Sequence, residues 1–343
     1  MITPTALAPG FASQDDFGDV GAEYQALRDT AGLVDRSNRL RMLFTGGQPA
    51  ATLTGLVTND VVSLRAGEGQ FAGALTAKGK IIADLRILAR TDDVLVDCGE
   101  DCGPAFAAMI RRYVNPRLAK YTDLSAVLRC VGVYGPNSAA AVAAVLSCDT
   151  QAVIALAPHH HLRTQFNDTP VHLLRSVAIG GDGFDCLVPV EQAAALWAAL
   201  AHQGAHPVGR SAFEIARVEA GIPRWGIDMT DETLAHEAGL DTLGGISYTK
   251  GCYTGQETVA RLHFRGHVNK LLRVVRATAP LTTGASIVNA AGDVVGDIRS
   301  VAVSPREGHI AIAMVRLAHG EGLMAMSASG AQTPLTIDAP PTP

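Results

Sequence analysis

Close-set cysteine pairs are missing from this chain of 343 residues: Cys98, Cys102, Cys130, Cys148, Cys186 and Cys252 include no CxxC. A structural zinc or an electron-shuttling dithiol ordinarily needs that spacing to place two sulfurs on one turn, so idle thiols are the expectation for most of them. Charge is also scarce. The 28 basic and 33 acidic side chains leave a net charge of -5, with no cationic excess, which argues against nucleic acid as a partner. No run reaches the roughly 18 apolar residues of a membrane-spanning helix. The start, MITPTALAPGFASQDD, has neither the basic nor the apolar region of a leader, so a cytoplasmic protein without a membrane partner is expected. Neither GxGxxG after a strand nor HExxH occurs, removing the dinucleotide and zinc-protease fingerprints.

What is abundant is apolar side chain, 48% of the chain, enough to order the bulk of it, and the length suggests two or three domains. Val20 to Thr30 reads as a helix, Leu40 to Thr45 as a strand and Pro49 to Val57 as an amphipathic helix. From Gln70 to Cys98, apolar runs cut by turns at Lys78-Gly79-Lys80 and Thr91-Asp92-Asp93 predict a three-stranded antiparallel meander. A helix over Gly103 to Val114, a strand over Leu124 to Tyr134 and an Ala-rich helix to Leu146 follow. Strands at 171 to 178 and 184 to 189, a helix over Glu191 to Gln203, and a helix from Arg210 that stops at Gly221 before Pro223 complete this part. Interleaved helices and hairpins indicate an α+β fold rather than a doubly wound sheet. After about Asn269 only short strands separated by Gly, Pro and Asp remain, the pattern of a small β-barrel. Two domains are expected, 1–268 and 269–343, with Pro340 to Pro343 a loose tail.

His159-His160-His161 invites a metal reading, but adjacent side chains diverge on a helix or a strand, so a polar loop is expected. The densest chemistry is KGCYTGQETVAR, Lys250 to Arg261, where a thiol, a phenol, an amide, a carboxylate and two cations fall within one short segment. Gly251 and Gly255 permit close backbone approach or positive φ, and cations near Cys252 would favour its thiolate. The plainer reading is a surface turn leading into a helix near Gln256.

This segment resembles the signature of the YgfZ family, folate-binding relatives of the glycine-cleavage T-protein (aminomethyltransferase) that support iron-sulfur protein maturation. The likeness extends to ARVEAGIPRWGIDMTDETLAHEAGL, Ala216 to Leu240, to LRDTAGLVDRSNRLRMLFTG upstream, and to VVGDIRSVAVSPREGHIAIAMV near the end. It departs from the family pattern at Ala235-His236-Glu237, where a proline is usual. The resemblance implies a T-protein-like ring of ferredoxin-like α+β domains around a central opening, with a C-terminal β-barrel. Tetrahydrofolate or a one-carbon derivative would sit with its pterin in the opening.

By the same resemblance Cys252 and Asp84 are the candidate catalytic groups, and the residues facing folate are Phe71, Asp84, Asp185 and Trp225, joined by Lys250, Tyr253, Gln256, Glu257 and Arg261, with Lys250, Arg261 or Arg265 available for the anionic glutamate tail. Phe71 and Trp225 could equally fill core. Asp84, among Ile81, Ile82 and Leu85, needs a partner or ligand to offset its burial. T-proteins carry an Asp-Asp pair where this chain has Ala83-Asp84, and their chemistry has no counterpart of Cys252. Both departures favour an accessory factor with Cys252 at its centre, acting with iron-sulfur client or assembly proteins and itself monomeric. The alternatives are a folate-dependent aminomethyltransferase and an interaction scaffold that has lost folate. One cysteine cannot hold a cluster alone, since such sites usually take four ligands, and a further pair from Cys98 and Cys102 has no third local cysteine to join it.

Overall fold

The computed structural model describes residues 13–266, 268–316, 318, 322–327 and 330–338. The tail expected at 340–343 lies outside them. The expected meander forms: Gly69–Leu75, Ile81–Ala89 and Val94–Gly99 pair antiparallel in succession. Arg39–Thr45 and Lys120–Asp123 extend them into a five-stranded sheet. Gly79 closes the first hairpin at φ 78°, and a Cβ there would sit 2.8 Å from the Thr258 Cβ, so glycine lets the Gln256–Arg265 helix lie directly on the turn. Lys120–Asp123 is a strand that apolar patterning does not mark, because KYTD is polar and mostly exposed at the sheet edge.

A second sheet has six strands in the order His206–Pro207, Gly32–Asp35, Leu128–Tyr134, Gly183–Pro189, Thr169–Arg175 and His161–Phe166. All neighbours are antiparallel except the first pair. The final hairpin turns on Asn167 and Asp168, both left-handed at φ 47° and 59°, the two-residue geometry whose twist suits flanking strands. The histidine tract is the expected loop only in part: His159 and His160 lie in a turn, but the third histidine belongs to this hairpin. His161 begins a strand, is 6% exposed and bonds Ala89 O through Nε2 at 2.9 Å. Each sheet buries one face against helices. Phe106, Met109 and Ile110 of Gly103–Tyr113 pack on the first sheet, while Leu196, Trp197 and Leu200 of Val190–His202 pack on the second.

Six further strands close a barrel in the order Lys270–Ala277, Gly308–Arg316, Val294–Ser304, Ser286–Val288, Met324–Met326 and Gln332–Ile337. The fold is thus mixed α and β with a closed C-terminal barrel, as expected. The barrel packs on the Arg210–Glu219 helix through Val218, Ile310 and Ile312. At the centre of that junction Arg217, 5% exposed, chelates Glu214, reaches Asp228 Oδ2 at 2.7 Å and Ser300 Oγ at 2.7 Å, and donates to the Ile222 carbonyl. Ser300 meets it because the pairing of Val294–Ser304 slips by one residue between Ile298 and Ser300, a bulge that re-aims the strand.

Replacing Arg217 by Leu would leave the fully buried Asp228 without its counter-charge and undo the tie to the barrel. A loss of about 3–5 kcal/mol in unfolding free energy is expected from urea denaturation, against about 1 kcal/mol for Ser300→Ala, which removes one hydrogen bond. Equal small losses for the two would contradict the hub.

Candidate functional site

The strand Ile81–Ala89 explains how a polar cavity comes to lie between two sheets. Its alternation sends Ala83, Leu85 and Ile87 into the core and Asp84 and Arg86 to the opposite face. That face, with Phe71 from the neighbouring strand, forms one wall of a cavity of about 610 Å³. Arg36, at the end of Gly32–Asp35, comes from the second sheet; Glu214 and Arg217 come from the Arg210–Glu219 helix, and Trp225 from the loop after it.

Arg86 crosses between the sheets. Its Nε donates to Asp97 Oδ1 at 3.0 Å within its own sheet, and Nη1 donates to Asp185 of the other. Asp185 is fully buried and also accepts from the Tyr134 hydroxyl at 2.5 Å. Asp97, likewise fully buried, accepts from Arg39 and lies 3.7 Å from Arg41 Nε. Burial alone would raise both carboxyls, but the facing guanidinium groups hold Asp97 well below the usual carboxylate range and lower Asp185 as well. Asp84 differs: burial outweighs the attraction of Arg39, so its carboxyl is raised, and no other described residue hydrogen-bonds its side chain. Trp225 adds a buried Nε1 with no partner.

Of the residues expected from the sequence, Phe71, Asp84 and Trp225 meet in this cavity. Asp185 stands behind Arg86, its carboxylate engaged, and does not line it. The Lys250 to Arg261 segment lies elsewhere. The Lys250 ammonium donates to the Val57 carbonyl at 2.6 Å and to that of Thr54, and sits 4.5 Å from the centre of the Tyr253 ring. Burial pushes Lys250 down to about 8 and Tyr253 up to about 12, so at neutral pH the lysine is a charged tether and the phenol stays protonated. This corrects the expectation that Lys250 faces an anionic tail: its charge is turned inward onto backbone.

Gly255, at φ 87° with no room for a Cβ beside the Thr76 carbonyl, opens the helix expected near Gln256. Gln256 is half-buried on that helix, and Glu257, Arg261 and Arg265 are exposed. None of these side chains lines the cavity. Cys252 is exposed, and no described residue bonds its thiol, whereas four of the other five cysteines are buried. Cys102 reaches the cavity wall, yet among the described residues no three His, Cys, Asp or Glu side chains group to hold a metal.

The residues missed by sequence reasoning are Arg86, Glu214 and His159. Arg86 was accessible: it lies two residues beyond Asp84, so the argument that a charge in this strand needs a partner applies to both.

Residues 5–246 match the model of the GCVT N-terminal domain, and residues 270–342 that of the CAF17 C-terminal beta-barrel domain. The chain belongs to the GCVT family. Similar proteins include one named aminomethyltransferase from Nostoc sp., 25% identical over 315 residues covering 89% of this chain and 82% of the relative. Another of the same name, from Burkholderia multivorans, is 30% identical over 256 residues covering 72% of this chain and 67% of the relative. The structure of glycine cleavage system aminomethyltransferase T from Bartonella henselae is similar at a TM-score of 0.84 and 21% identity, over 94% of this chain and 89% of that one, which shows a shared fold. Among the described residues no helix is long and apolar enough to cross a membrane.

The buried charges set a pH dependence. Asp97 and Asp185 have folded values below the ordinary 3.8, so their stabilisation is present above that pH and lost as pH falls through the folded values. Burial pushes His159 and His172 down from 6.5 to about 4, so the unfolded chain takes up protons first and stability already declines across that window. Urea midpoints measured from pH 7 downward should fall between about pH 6.5 and 4 and fall further below it; a flat profile would contradict the network.

Proposed function

We propose that the central cavity binds tetrahydrofolate or a one-carbon derivative, and that the protein is a folate-dependent accessory factor for iron-sulfur proteins, meeting its clients at Cys252. The supporting observation is the cavity itself. It combines the rings of Phe71 and Trp225, an indole N–H without an acceptor, and a carboxylate, Asp84, without a hydrogen-bond donor from another residue. A pterin supplies what these groups lack: a planar face, ring acceptors, and an aminopyrimidine edge with N–H groups for a carboxylate. Arg36 and Arg224 on the cavity lining would attract an anionic glutamate tail. Asp185 acts here through Arg86, fixing the wall rather than touching the ligand.

Cys252 belongs to a separate surface. Lys250 ties its segment to the carbonyls of Thr54 and Val57, so the exposed thiol stands on a fixed base. A single thiol supplies one ligand to a cluster that usually needs four, and the partner supplies the rest. The client is an iron-sulfur enzyme or assembly protein, met by a cytoplasmic monomer.

A second reading, a folate-dependent aminomethyltransferase, is favoured by the shared name of the relatives. There Asp84 would hold the folate and its developing charge beside the incoming aminomethyl group. One carboxylate rather than a pair, and a motif cysteine outside the cavity, favour the accessory role.

The chain's two tryptophans divide the test usefully, since Trp197 is in the core and Trp225 in the cavity. Tetrahydrofolate should quench fluorescence saturably in the wild type and not in Trp225→Phe, and Asp84→Asn should weaken binding about tenfold or more, the scale of a hydrogen bond to a charged group. No saturable quenching or heat of binding would sink both folate readings.

Cys252→Ser should bind folate like the wild type yet fail to support maturation of an iron-sulfur enzyme in cells. Turnover of lipoyl carrier, ammonia and methylenetetrahydrofolate at about one per second or faster would instead establish the transferase.

A further inference from the structure

The histidine tract is the one prominent sequence motif that the proposed function leaves unused, and its first member lines the central cavity. His159 has φ 65°, one of four non-glycine residues in the left-handed region among the described residues, a conformation that side chains with a Cβ resist. The turn is held there from both sides. His159 N donates to Arg175 O at 3.1 Å and Arg175 N to His160 O at 2.9 Å, while His161 N reaches Gly67 O at 2.8 Å in the other layer. Gly69, which a Cβ would drive into the His159 carbonyl, admits the crossing. A backbone forced into a costly conformation by so many fixings marks positions where the side chain is held for use.

The ring itself is also placed. It lies nearly parallel to Phe71, 17° between planes and 6.1 Å between centroids, across the seam between the sheets. Neither ring nitrogen is bonded by a described residue, and Nδ1 is buried without a partner. Burial, reinforced by Arg86, pushes the imidazole down to about 4, so at neutral pH it carries one N–H donor and one bare nitrogen acceptor. An open donor–acceptor pair with one of its nitrogens buried, beside an aromatic face, is suited to the edge of a planar heterocycle.

We propose that His159 is a ligand-contacting, specificity-determining residue of the central cavity, forming with Phe71 a shared wall and giving its free ring nitrogens to the edge of a bound heteroaromatic ring. This inference rests on the folate reading above and deepens it. A neutral imidazole at this place discriminates by hydrogen-bond pattern, so a ligand whose ring edge lacks a matching donor and acceptor leaves a buried nitrogen unpaired and binds more weakly.

The test compares tetrahydrofolate binding by calorimetry in the wild type, His159→Asn and His159→Phe, with melting temperatures alongside. Asn tolerates the left-handed backbone, so that variant should melt no lower than the wild type yet bind about tenfold more weakly or worse; Phe, which keeps the stack and loses the nitrogens, should fall between. In the wild type the His159 Cε1–H resonance should shift on saturation with tetrahydrofolate. Affinity within twofold of wild type in both variants would overturn this proposal alone, as would lowered melting with unchanged affinity, which marks a purely structural ring. No binding by the wild type would overturn it together with the folate reading.

Discussion

One guanidinium, that of Arg86, ties the two sheets of the body together across the cavity wall. Its partners come from both layers, Asp97 from its own and Asp185 from the other, each fully buried. In water such a pair would be worth little; out of water neither carboxylate is tolerable without the cation, which is why the layers are fixed relative to each other at this point. Further along the seam, Leu88 and Leu95 of the first sheet close directly on Leu174 and Leu187 of the second. At Arg86 the seam is charged instead, and the open volume lies beside that charged stretch.

Much of this was legible in the sequence where one period dominates. The meander was readable because IIADLRILAR and VLVDC are strongly apolar and their turns carry Gly, Lys and Asp; the barrel, because helical spacing vanishes beyond Asn269. Lys120–Asp123 was not legible, since an edge strand with water on its outer side needs no apolar pattern. His161–Phe166 was hidden by the histidine tract it ends, whose polarity suggests a loop, while His161 itself is buried against Ala89. In the cavity, Phe71, Asp84 and Trp225 were accessible through resemblance and through the cost of a lone carboxylate. The inward turn of Lys250 was not, because a lysine bonded to backbone carbonyls far along the chain leaves no local trace.

The motif richest in chemical groups and the cavity richest in unsatisfied ones occupy different places. The segment around Cys252 is anchored through Lys250 and leaves its thiol exposed, whereas the cavity is anchored by its ion pairs and unsatisfied at Asp84, Trp225 and His159. Binding of a small molecule and presentation of a thiol are therefore separable by substitution, even though both sites rest on the same first sheet.

The slipped register at Ile298 and Ser300 bears on ancestry as well as on packing. Arg217 finds its hydroxyl partner only because one extra residue rotates the barrel strand by a step. A barrel with a regular strand would present the wrong face to the helix. Body and barrel are thus not interchangeable parts that any linker could join: a chimera assembled from two relatives would need the fault and the arginine to come from the same parent.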